Sequence, residues 1–196
     1  MEQRARQRIA ELRNDHDYQE QKKHEFVEHN RNTFGVCSLC ASYDNLLLWA
    51  HYSYNHTGFC VGLSVDSLHN ISVSLAHNNE LLDLHRVRYR SRLLNPNFFK
   101  SMISLEDTRH VQAFIETKSR DWKYEQEWRL VFWHHVNEAM PLGHVAIREV
   151  ILGCRISSID RDRILDLCRE HVPHARVLQA GKSETRFSLD FTSVEL

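Results

Sequence analysis

Apolar and polar positions change character along the chain at about Thr33. Before that point Glu, Gln, Arg, Lys and Asp run almost without a break, and the large apolar residues are few: Ile9, Leu12, Phe26 and Val27. This pattern predicts a solvated helix or helix pair with a thin apolar stripe over residues 1–32. From Thr33 onward, short apolar runs alternate with turn residues. Residues 35–41 read as a strand, and Asp44 is placed to cap a short helix through Leu46, Leu47, Trp49 and Ala50. Phe59 to Leu63 reads as a second strand, entered through Gly58, which suits a backbone position that rejects a side chain. Residues 80–89 suggest a third strand. Asn95-Pro96 marks a turn, and Val111, Phe114 and Ile115 recur at helical spacing within 105–120. The run Trp128, Leu130, Val131, Phe132 predicts a strand over 127–133, central rather than at an edge. A strand over Val145 to Leu152 is stopped by Gly153. Asp160 is placed to cap a helix carrying Ile164, Leu165 and Leu167. Arg176 to Gln179 and Arg186 to Phe191 read as the last two strands. The order predicts an α+β fold: one domain over 33–196 with a mixed, bent β-sheet flanked by helices, and a helical amino-terminal extension over 1–32.

Composition narrows the classes. At 196 residues, 42% apolar and 26% charged, the chain can bury a sizeable core and is not of disordered composition. Its net charge of −1 gives no broad attraction to nucleic acid or to an anionic membrane. No apolar run approaches bilayer length, and the polar first thirty residues carry no secretory signal. Five cysteines, Cys37, Cys40, Cys60, Cys154 and Cys168, make no disulfide framework and point to reduced thiols in the cytoplasm. Cys37 and Cys40 have metal-motif spacing but no second pair to complete a zinc site. Lying in a predicted strand, they are expected to be small buried core thiols.

Candidate chemistry concentrates in Lys118-Ser-Arg-Asp-Trp122-Lys-Tyr124-Glu125-Gln-Glu127-Trp128-Arg129. Strand alternation places Glu125, Glu127 and Arg129 on one side and Trp128, Leu130 and Phe132 on the core side. Carboxylates entering a core strand are costly unless paired. Glu127 with Arg129, and Glu125 with Lys118, therefore also read as plain structural ion pairs. A second dense block is Trp49-Ala-His51-Tyr52-Ser-Tyr-Asn-His56-Thr-Gly58. Its histidines lack a third ligand, so no metal is expected, and a helix-end histidine bonded to backbone is the ordinary reading. The four tryptophans, Trp49, Trp122, Trp128 and Trp133, read first as packing residues. A metal-dependent nuclease would need further acidic residues beside Glu125 and Glu127, and none is placed with them. Blocks so rich in aromatic and ionisable residues are expected to meet, with Trp49, His51 and Tyr52 in reach of Trp122 to Glu127 along one wall of a cleft.

In order and spacing, the two blocks, Asp44 to Phe59 and Lys118 to Arg129, with Val150-Ile-Leu-Gly153 downstream, resemble a bacterial domain-of-unknown-function family, number 2971. The resemblance runs from residue 33 to about 192. Members usually begin with an extra amino-terminal strand and an Asn-Asp-Pro-Phe-like turn. Neither is visible here, so the expectation is a short member, a fragment or a later start. The Glu-x-Glu pair leading into a core strand is also similar to the carboxyl-terminal motif of mono-ADP-ribosyltransferases, which break the nicotinamide–ribose bond of NAD. That resemblance implies NAD as substrate and a bacterial defence or toxin setting. Glu127 would hold a ribose hydroxyl, and Glu125 would orient or deprotonate the acceptor. Trp122, Tyr52 or Tyr124 would stack on nicotinamide or adenine, and Arg129 or Lys118 would meet the pyrophosphate. The transferases take a basic or histidine residue from their first strand, so a chain without that strand would be inactive. The absence of Gly-x-Gly-x-x-Gly excludes only a Rossmann mode of binding. The other reading is a non-enzymatic module that binds a nucleotide or a protein in the same cleft. Either way the partner expected is a macromolecular acceptor or a protein, not a membrane.

Overall fold

A computed structural model describes residues 15–76, 82–92 and 115–196. Residues 1–14, the Asn95-Pro96 turn and the helix expected from 105, with Val111 and Phe114, lie outside them. The elements in order are α1 (His16–Arg31), β1 (Phe34–Cys40), α2 (Leu46–Tyr52), β2 (Phe59–Leu63), α3 (Val65–Ala76), β3 (Leu82–Arg86), β4 (Arg88–Arg90), β5 (Thr117–Ser119), β6 (Glu127–Trp133), β7 (Ile147–Leu152), α4 (Ser158–His171), β8 (Arg176–Lys182) and β9 (Leu189–Val194). Two 3-10 turns, Arg120–Glu125 and His144–Ala146, precede β6 and β7. The chain is thus α+β, with a helix in the amino-terminal region. Among the described residues no helix is long and apolar enough to cross a membrane.

β6 is central, as its apolar run predicts. β1 pairs with it antiparallel from Phe34↔Trp133 to Cys40↔Glu127, and β3 pairs on its other side from Leu82↔Phe132 to Arg86↔Trp128. A second sheet has the order β2-β7-β8-β9. It is mixed, because α4 returns the chain so that β8 runs parallel to β7. β4 and β5 form a separate parallel ribbon. Among the described residues, β1 and β2 therefore each lie at the edge of a sheet.

Each sheet buries its own apolar face. Leu82, Leu130 and Phe132 pack with Leu68 of α3. Val150, Leu152 and Val177 pack with Leu165 and Cys168 of α4. On the other face of the second sheet, Trp49 of α2 packs on Ile151, Leu178, Ala180 and Leu189. Gly153 ends β7 at a close approach: a Cβ there would lie 2.3 Å from the His56 carbonyl oxygen and 2.6 Å from that of Gly58.

Several local expectations are corrected. After Ile115 the chain is not helical through 120: Thr117 to Ser119 pair with Arg88 to Arg90, and a 3-10 turn follows. The third strand breaks at buried Val87, whose N–H donates to the Glu127 carbonyl at 3.0 Å. β7 begins at Ile147, because residues 144–146 are taken by the 3-10 turn after Gly143. Asn45, not Asp44, caps α2, and Ser157, not Asp160, caps α4, its hydroxyl accepting from the Asp160 N–H. Cys37 and Cys40 are exposed rather than buried, since β1 is an edge strand.

Candidate functional site

Two turns build the site. In the first, Asn45 Oδ1 accepts the N–H groups of Leu47 at 3.0 Å and Leu48 at 3.4 Å, starting α2. The same side chain donates through Nδ2 to the Tyr124 carbonyl at 2.7 Å, which joins the two sequence blocks. α2 is two turns long. It carries Trp49 into the second sheet and leaves Tyr52 at its end, with the Tyr52 hydroxyl donating to Glu125 Oε1 at 2.9 Å. In the second turn, Ser119 caps the 3-10 segment and Gln126 closes it in the left-handed region, at φ 47°. That reversal brings Glu125 beside Glu127. Glu125 is not part of the strand, so the alternation expected from sequence reaches the right pairing by a different backbone route.

Both carboxylates are buried, Glu125 at 4% exposure and Glu127 at 3%. The Lys118 ammonium lies between them, against Glu125 Oε2 and 2.8 Å from Glu127 Oε2. Arg129 Nε donates to Glu127 Oε1 at 2.8 Å, and Ser38 Oγ donates to the same oxygen at 2.9 Å. Glu127 Oε2 accepts no well-directed hydrogen bond: the ammonium beside it is an ion-pair contact out of line. Burial pushes the Glu127 carboxyl upward, but Arg129, Lys118 and Ser38 outweigh it and hold the group below its ordinary value. Burial lowers Lys118, and the two glutamates more than offset it, so the ammonium is held charged. The bond to Glu125, then burial, raises the Tyr52 hydroxyl.

These groups form the floor of a cleft of about 340 Å³. Trp49, Tyr52, Phe59 and Cys60 line one side, and Ser38 and Cys40 of β1 the other. Of the residues picked out from sequence, the cleft gathers Trp49, Tyr52, Lys118, Glu125 and Glu127. It does not gather His51, Trp122, Tyr124 or Arg129. His51 is exposed, with its ring edge-on to Tyr52 at 6.2 Å. Trp122 is on the surface with the Lys118 ammonium 5.1 Å from its ring centre, and Tyr124 lies against it at 6.0 Å. Arg129 stands behind Glu127 and also donates to the Ile115 carbonyl.

Ser38, Asn45 and Tyr89 were not legible as site residues. Tyr89 accepts the Glu127 N–H at 2.7 Å. All three act through pairings between strands or between the blocks, which leave no local signal in the sequence. His56 departs from the backbone-bonded expectation. Its Nδ1 is buried without a hydrogen-bond partner, and its ring stacks on Trp49 at 6.3 Å. The left-handed turn Tyr54-Asn55-His56 leaves the ring facing the indole, while the His56 carbonyl accepts from the Arg155 N–H. Burial, then the charges of Arg155 and Lys182, lower its pKa. Among the described residues no three His, Cys, Asp or Glu side chains converge on a metal position.

No curated protein and no solved structure matches the chain. Residues 48–130 match the model of a family described as protein of unknown function (DUF2971). The match takes in Trp49, His51, Tyr52 and the whole of Lys118 to Arg129, so that the chain is similar to this family over the residues that build the site.

Proposed function

We propose that the cleft binds NAD and that Glu127 promotes loss of nicotinamide from it, as in an ADP-ribosyltransferase. The observation that carries this reading is a pair of buried carboxylates at the floor of an aromatic-lined cleft, one held ionised and with an oxygen, Glu127 Oε2, met by the Lys118 ammonium alone, out of line at 2.8 Å. A carboxylate oxygen met by one out-of-line ammonium has a lone pair left to accept from a ribose hydroxyl. A fixed negative charge in a dry site stabilises the positive charge that develops on the ribose. In the reaction the C1′–N bond breaks and nicotinamide leaves as a neutral ring with the bonding pair. An acceptor oxygen or nitrogen then bonds to C1′, and its proton passes to Glu125. The cleft volume suits the nicotinamide riboside end, with the pyrophosphate drawing on Lys118. A cytoplasmic setting, where thiols stay reduced, and a macromolecular acceptor of the kind met in defence or toxin proteins fit this reading.

Nicotinamide release from the purified protein tests it. Glu127→Gln keeps shape and removes charge, and release should fall by about a hundredfold or more. Glu125→Gln should impair transfer while leaving slow hydrolysis, because water replaces the acceptor. If the wild-type protein neither binds NAD nor releases nicotinamide, the reading is wrong. One observation favours a second reading, a module that binds without reacting: Lys118 and Arg129 neutralise both carboxylates. That reading predicts calorimetric binding of a nucleotide with no product formed.

A further inference from the structure

The surface beside the carboxylate site carries charge that the proposed reaction does not use. In His85-Arg86-Val87-Arg88-Tyr89-Arg90-Ser91-Arg92 an arginine takes every second position. Arg86, Arg88, Arg90 and Arg92 are all exposed, while Val87 is buried and Tyr89 half-buried between them. The segment is pinned from beneath, since Val87 N–H donates to the Glu127 carbonyl and the Tyr89 hydroxyl accepts the Glu127 N–H. Its arginines are exposed above it. Arg90 is registered against Ser119, after which the chain turns through exposed Arg120, Trp122 and Lys123. An open groove is lined by Arg86, Arg88 and Lys123 and reaches Glu127. Glu116 in that groove is engaged by His85 at 3.0 Å and Arg88 at 3.3 Å. Arg86, Arg90 and Arg92 make no ion pair with a described residue. A chain of net charge −1 thus concentrates positive charge on one face.

We propose that this face binds a single strand of nucleic acid, with successive phosphates on the arginine ladder and a base against Trp122. Arg88 and Arg90, two apart on β4, repeat at ~6.6 Å, which is comparable with the separation of neighbouring phosphates, and Arg86 and Arg92 continue the track on either side of that strand. Guanidinium groups match phosphate oxygens in planar, bidentate fashion. The ladder is one strand wide and has a half-exposed tryptophan beside it. That combination of a charged track and a stacking platform suits an unpaired strand better than a duplex. Taken with the transferase reading, on which this part rests, the strand is the acceptor, because the groove and the cleft share Glu127.

Fluorescence anisotropy of the full chain with labelled oligo-dT and oligo-U, without NAD and over a salt series, tests the surface. Binding should be tight at low salt and should weaken steeply as salt rises. The Arg86→Ala, Arg88→Ala, Arg90→Ala triple variant should bind about tenfold or more weakly and lower the salt slope by about two, at roughly 0.7 per phosphate contact. The matching triple change to Lys should keep the slope, which separates charge from damage to the fold. The tighter of the two oligonucleotides identifies the natural class. Three results would overturn the proposal: no salt-dependent binding of either strand, an Ala variant that melts and binds like wild type, or a duplex or polyglutamate that competes as well as the single strand. Nicotinamide release without oligonucleotide is measured beside it. Strand binding without release removes the transferase reading and keeps the surface. Release without strand binding does the reverse.

Discussion

Lys118 lies between two carboxylates that are each more than nine-tenths buried, and Arg129 and Ser38 complete the shell around Glu127. Removing one partner of a buried pair leaves an uncompensated charge, which commonly costs about 3–5 kcal/mol. Lys118→Met, which fills the same space, should lower unfolding stability in urea by that order; an unchanged midpoint would show that the ammonium does not hold the floor together. The pH dependence has a fixed sign. Glu127 is held below its ordinary value of 4.5, so its contribution is present above that value and lost as pH falls through the lowered one. Lys118 is raised above 10.5, so its contribution is present below that value and lost as pH rises through the raised one. The melting temperature should therefore fall toward both extremes, and Glu127→Gln should flatten the acid side and, because Glu127 also helps to raise Lys118, part of the alkaline side. At this scale the carboxylate pair was legible, because glutamates beside an apolar run demand partners. Its geometry was not: Glu125 reaches Glu127 through the left-handed Gln126, and nothing in a Glu-Gln-Glu triplet marks that turn.

α2 connects the two sheets although it is only two turns long. Trp49 seats it on β7, β8 and β9, and Asn45 and Tyr52 reach the turn that precedes β6. Asn45→Ala should remove both the cap and the bond to Tyr124, at a cost of about 1–2 kcal/mol. Asn45→Asp separates the two roles: its carboxylate can still cap Leu47 and Leu48 but has no N–H for the Tyr124 carbonyl. If the link between blocks matters to the site, Asn45→Asp should keep most of the helix stability and still weaken nucleotide binding, as read by calorimetry. Equal affinity in Asn45→Asp and wild type would reduce Asn45 to a cap. β1, β2, β6 and α4 were legible because each carries its own apolar pattern. β5 was not, since Thr117 to Ser119 is polar and becomes a strand only through Arg88 to Arg90, far away in sequence. Caps shifted by one residue, as between Asp44 and Asn45, because neighbouring polar side chains satisfy the same sequence rule.

At the scale of the molecule, the cleft lies where the edge strands of two sheets face each other across Ser38, Cys40, Phe59 and Cys60. The meeting of the two blocks along one wall was legible, but no sequence pattern states which strands pair, so the β1 wall was not, and the net charge of −1 averages away the arginine ladder. The arrangement makes a prediction for amide exchange. β6 and β7 are interior strands whose residues Leu130, Val131, Ile151 and Leu152 are essentially sealed, so their amides should exchange last, near the global unfolding limit. β1 and β2 pair on one side only among the described residues and should exchange earlier. A ligand bound only by the folded chain, at about a hundred times its dissociation constant, adds about 2.7 kcal/mol, or roughly a hundredfold slowing of amides exposed by that unfolding. NAD should add further local protection at residues 38–40, 52–60 and 118–127 and leave β9 at the global level. An oligonucleotide should instead protect 86–92 and 120–123. The two footprints share only the turn before β6, where the basic groove meets Glu127. If NAD protects the arginine ladder and not the cleft, the anionic dinucleotide is held by its phosphates alone and the carboxylate floor plays no part in binding it.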